Sequence, residues 1–90
     1  MFLFDLFIGQ DSWEYLSVYD LDNRTHTQHK IYRSGQVEEI IDKLTTGGEE
    51  VFVMHPVGIG LHLIDVLDKI GVTYETIRTI LPQQEQGVSL

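Results

Sequence analysis

Cysteine is missing from all 90 residues of this chain, so disulfides, thiolate metal sites and thiol nucleophiles are excluded from the outset. Basic residues are scarce: six Lys and Arg stand against 14 Asp and Glu, a formal net charge of −8. Without an excess of cations to release counterions from a phosphate backbone, direct nucleic-acid binding is not expected. The same balance suits a protein partner with a basic surface, a cation held by acidic groups, or plain solubility. No apolar stretch approaches the roughly 20 residues that span a bilayer, so no membrane segment is expected. The N-terminal apolar run is short, lacks a positive flank and carries an aspartate, and so does not read as a signal peptide. The expected compartment is the cytoplasm. Neither an internal repeat nor a linker is visible, and the length suits one domain with one core.

What is present begins with a carboxylate in an apolar setting. Phe2-Leu3-Phe4-Asp5-Leu6-Phe7-Ile8 reads as a strand buried on both faces, where an isolated charge costs several kcal/mol, roughly 2–7 for an uncompensated polar group. Asp5 must therefore be paired, protonated, bound to a metal, or placed at a strand end facing a cleft.

Alternation continues beyond the turn Gly9–Ser12. Trp13 to Asp20 forms a second strand, with Trp13, Tyr15, Ser17 and Tyr19 on one face. After the turn Leu21–Arg24, the polar run Thr25–Arg33 reads as an edge strand. The period then lengthens. Ser34 is placed to cap a helix whose Val37, Ile40, Ile41 and Leu44 form an apolar stripe, closed by Gly47-Gly48. Glu50–Met54 is a short strand, His55–Gly60 a glycine-rich loop, and Gly60–Ile70 a second helix closed by Gly71. Val72–Ile77 is the last strand. Residues 81–90 carry no periodicity and read as a flexible tail after a single α/β domain of residues 1–80. The order β-β-β-α-β-α-β predicts a five-stranded mixed sheet, 3-2-1-4-5, with strand 2 antiparallel to the rest and two helices.

This order, opening with a meander, resembles the ribonuclease-H-like fold. The segment from Asp5 through Gly9, Asp11 and Asp20 is similar to the start of the nuclease domain of phage large terminase subunits. So is the later segment from Val51 through His55, Gly58, Gly60, Asp65 and Gly71. The resemblance spans roughly residues 2 to 80. It implies a minimal ribonuclease-H-like domain of phage or prophage type, in which Asp5 matches the first acidic ligand of a two-metal site. The second acidic position falls at His55, and the third lies beyond the end of this chain. A set so depleted argues against ordinary two-metal cleavage. If strands 1 and 4 are parallel neighbours, Asp5 and His55 can meet as a structural pair or bind Mn or Mg, with Asp11 or Asp65 assisting.

Other features are weaker. Gly58 and Gly60 before a helix are a candidate phosphate turn, but the glycine fingerprint is incomplete. His26 and His29 point to opposite faces of their strand and cannot share a metal without a bulge. His62 with His55 lacks a third ligand. Trp13, Tyr15 and Tyr19 are core if a helix covers them and an interface if none does. The expectation is therefore a non-catalytic, acidic protein that binds another macromolecule, with itself as one possible partner. The rival is a metal-dependent nuclease or resolvase completed by oligomerisation.

Overall fold

The computed structural model describes residues 1–54 and 56–77. His55 and the expected tail over 81–90 lie outside them. Five strands, β1 (Phe2–Ile8), β2 (Glu14–Asp20), β3 (Thr25–Lys30), β4 (Val51–Met54) and β5 (Glu75–Ile77), are joined with helices α1 (Gln36–Leu44) and α2 (Gly60–Ile70). They form one mixed sheet in the order β3-β2-β1-β4-β5, as the sequence pattern predicts. β2 is antiparallel to β1 and β3, whereas β1, β4 and β5 run parallel.

The crossovers decide where the core lies. α1 carries the chain from β3 at one edge to β4, and α2 carries it from β4 to β5, so both connections step across the sheet in the same direction. Right-handed crossovers that step the same way land on the same face. Accordingly Val37 and Ile41 of α1 and Leu63, Val66 and Leu67 of α2 share one cluster with Phe4, Leu6, Leu16, Val18, Val51 and Val53. Phe4, Leu16, Ile41, Leu63 and Leu67 are wholly buried there. Each such side chain contributes about 1.5–3 kcal/mol by leaving water. The helices thus take one face and leave the other.

Several ends differ from the sequence expectation. β3 ends at Lys30 rather than Arg33: the Ile31 amide makes the last bond to β2, donating to the Glu14 carbonyl at 2.9 Å, and the outward-facing groups of the exit are bound by the Gln36 carboxamide. Its Nε2 donates to the Lys30 carbonyl at 2.9 Å, and its Oε1 accepts from the Tyr32 amide at 2.7 Å. Ser34 does not cap α1. Gly35 holds that position at φ 87°, with no side-chain cap, a left-handed conformation that suits a residue without Cβ. α1 also ends at Leu44, before Gly47-Gly48: the Thr45 backbone leaves the helical range at φ −107° and ψ 12°, and its amide and hydroxyl make the last bonds to the Ile41 carbonyl, at 3.0 and 2.8 Å. Gly71 closes α2 as expected. β5 begins at Glu75 rather than Val72; Val72 instead donates to Leu67 at the helix end and packs on the core. No helix among the described residues is long and apolar enough to cross a membrane.

Candidate interaction surface

The pleat sends alternate residues of each strand to the face that no helix of the described residues covers. β1 contributes Leu3, Asp5 and Phe7; β2 contributes Tyr15, Ser17 and Tyr19; β3 contributes His26, Gln28 and Lys30; β4 contributes Phe52 and Met54. Register fixes the neighbours: Asp5 opposes Ser17, and Ser17 opposes Gln28. None of these side chains belongs to the helix-side cluster. The expected aromatic stripe is therefore on the open side, partly shielded by its own neighbours.

Stacking organises the face. Phe7 and Tyr15 lie with ring centroids 5.8 Å apart, and Tyr19 lies nearly parallel over His26 at 4.1 Å. Contacts of this kind stabilise by about 0.5–1.5 kcal/mol beyond area burial. Beneath them Ser17 is 1% exposed, with Gln28 Nε2 donating to its hydroxyl and His26 Nε2 also at 3.4 Å.

Trp13 lies just before β2 rather than on it, and the residue is 44% exposed at one corner of the face. It tilts against Tyr32, 5.6 Å away. The Lys30 ammonium lies 4.8 Å from the Trp13 ring centre, 5.9 Å from Tyr15 and 6.0 Å from Tyr32. Asp11 completes this cage: its carboxylate is 3.1 Å from Lys30 Nζ and accepts from the Tyr15 hydroxyl at 2.6 Å and the Trp13 amide at 3.0 Å. The Tyr15 hydroxyl, then the Trp13 amide and Lys30, hold Asp11 down at about 2. Gly9 permits this packing, since a Cβ there would sit 2.5 Å from the Tyr15 ring. Lys30 and Tyr32 were not among the residues expected from sequence. The hairpin register, which sets Tyr15 opposite Lys30, is the signal that locates them.

Asp5 sits near the middle of the open face, half-buried. It makes no side-chain hydrogen bond or ion pair among the described residues, and burial pushes its carboxyl above the ordinary value. It also lines a cleft of about 310 Å³ at the ends of β1 and β4, with Phe7, Ile8, Met54, Pro56 and Val57. His55, its expected partner, lies outside the described residues. Asp11 is committed to the lysine cage, and Asp65 is exposed on α2, on the helix side of the sheet. The structure does not gather Asp5, Asp11 and Asp65. Among the described residues no three His, Asp or Glu side chains are grouped to hold a metal.

Gly58, at φ 55°, turns the chain into α2, and Gly60 is the buried first residue of that helix. The amides of Gly60, Leu61 and His62 already donate to the carbonyls of Val57, Gly58 and Ile59, at 2.8–3.1 Å, so this turn uses the groups a phosphate would need. His29 points to the helix side, where it lines a groove with Ile40 and Leu44; His26 points to the open face, as their spacing predicts. His62 is exposed on α2. Comparison of the chain with known protein families, with curated proteins and with solved structures finds no match.

Proposed function

We propose that this protein works by binding another protein through the sheet face that no helix of the described residues covers, without catalysis of its own. The observation that carries this reading is the aromatic and apolar surface of Phe7, Tyr15, Tyr19 and Phe52, on the side of the sheet opposite both helices of the described residues. The net charge of −8 favours a partner with a basic surface, and the cytoplasm is the compartment in which we place the encounter. The phage affiliation rests on the resemblance to terminase nuclease domains, with which the sheet order is compatible. The test compares wild-type chain with Tyr19→Asp on the open face and Asp65→Lys on α2, used as baits under cross-linking. A partner bound through this surface is lost by Tyr19→Asp, kept by Asp65→Lys, and cross-linked to the strands of this face. A partner held equally by all three baits sinks the reading.

One observation favours the metal-dependent alternative: Asp5 lies on β1 at the mouth of a cleft beside the end of β4, where the resemblance implies the first acidic ligand. Cleavage of DNA or RNA in Mn or Mg that disappears in Asp5→Asn would replace the binding reading. No cleavage, together with no metal-induced thermal shift, removes the alternative.

A further inference from the structure

The open face has a charge pattern that specifies its occupant, an inference that rests on the protein-binding reading. We infer that the face receives a cationic amphipathic helix of another protein, laid along β1 and β2 with a lysine or arginine over Asp5.

The first argument is charge. Lys30 is held by Asp11 and three rings, and His26 is held by Tyr19 and Ser17. Asp5 is the carboxylate of this face with no compensating partner among the described residues, and it lies between Leu3, Phe7 and Ser17. Any occupant that dries the surface removes the remaining water from that carboxylate. A neutral or acidic occupant leaves it buried and uncompensated, which is strongly unfavourable, whereas a cation on an apolar stripe meets it. The upward displacement of the Asp5 carboxyl by burial shows that this desolvation has already begun in the free chain.

The second argument is size. Strands of seven residues are about 23 Å long. A second copy packed face to face brings a second unmatched Asp5 onto the same dried surface and adds −8 to −8. A single helix of about 15 residues matches the strand length at 1.5 Å per residue. Placed there, it covers the side of the sheet opposite α1 and α2 and completes a third layer.

The test uses a synthetic 18-residue peptide with a leucine stripe, glutamine elsewhere, and one lysine at the centre of the stripe. A twin carries glutamate in place of that lysine. Both are titrated into isotope-labelled chain, with amide shifts recorded by NMR. The expected result is saturable binding of the lysine peptide with shifts along β1 and β2, at least tenfold tighter than its twin. Asp5→Asn is expected to bring the two peptides within twofold of each other, while Asp65→Asn, the same charge change on the helix side, preserves the preference. A lysine preference that survives Asp5→Asn reports bulk acidity and overturns the inference. Equal binding of both twins at β1 and β2 also overturns it, while leaving open-face binding intact. Shifts confined to the outer edge of β3, or a concentration-dependent dimer through this face, overturn the helix as occupant. No shift on the face with either peptide removes the inference, while the reading beneath it is decided by the Tyr19→Asp bait.

Discussion

Replacing Asp5 by leucine should make the isolated protein more stable. The carboxylate is half-buried on the open face with no hydrogen-bond partner among the described residues, and burial raises its titration above the ordinary 3.8. A buried polar group without a partner costs about 1–3 kcal/mol, and a half-buried one belongs at the lower end. Leucine in its place removes that cost and extends the apolar strip between Leu3 and Phe7, with no helix of the described residues there to crowd it. We expect a gain of about 1 kcal/mol at pH 7, which for a domain of this size is roughly 4–8 °C in Tm. The pH dependence carries the sign. A carboxyl raised in the folded state favours folding while protonated, and that advantage is lost as pH rises through its folded value. The gap between Asp5→Leu and wild type should therefore be widest at neutral pH and should close as the solution is taken towards 3.8. Urea unfolding of both proteins across this range reads it directly. Tyr15, Tyr19, His26 and Lys30 share the face in both proteins, so the difference curve isolates Asp5. A less stable Asp5→Leu, or a gap that widens on acidification, would show that the ionised carboxylate is a structural partner and refute the reasoning.

Asp11 behaves in the opposite sense. With its folded value held at about 2 by Tyr15, the Trp13 amide and Lys30, its contribution is complete above 3.8 and is lost as pH falls towards 2, so Trp13 fluorescence should change in that window and stay flat in Asp11→Asn. Arg24 turns the second hairpin at φ 57°, where a side chain is strained. Arg24→Gly should therefore gain about 0.5–1 kcal/mol in urea unfolding, the strain relieved exceeding glycine's added chain entropy. Leu67 is wholly buried between α2 and the sheet, so Leu67→Ala should lose about 2–5 kcal/mol by calorimetry. A loss below 1 kcal/mol would mean that α2 is not seated on the sheet as described.

Sheet order and helix positions were legible because alternation and the helical stripe are local signals, and because a polar third strand and apolar first and fourth strands assign edge and centre. The element ends were not. Gln36 binds the exit of β3 from six residues away, and Gly35 rather than Ser34 begins α1 because the left-handed turn needs a residue without Cβ. Such effects depend on backbone paths that propensity does not encode. The candidate surface was half legible. Asp5 stood out as a charge in an apolar run, and Tyr15 and Tyr19 as one face of a strand. Lys30 and Tyr32 did not, because they come from a polar edge strand and its exit and reach the aromatic corner only through hairpin register.

A carboxylate that weakens the free chain needs a compensating state, and the two sides of this argument can be separated in one variant. If Asp5 served the fold, removing it would cost stability and binding together. If it serves a bound helix, stability and binding move in opposite directions: Asp5→Leu unfolds at higher urea yet loses its preference for the lysine peptide over the glutamate twin. The open face also predicts which substitutions share this behaviour. Leu67→Ala weakens the fold from the helix side and should leave the peptide preference unchanged wherever the protein remains folded, because Leu67 touches the cluster opposite to Asp5. Asp5→Leu should give the reverse pattern, a firmer fold with an indifferent surface. A parallel loss of stability and peptide preference in both variants would mean that the sheet's two faces are not independent, and that the open face is shaped by the helix-side core rather than by its own residues.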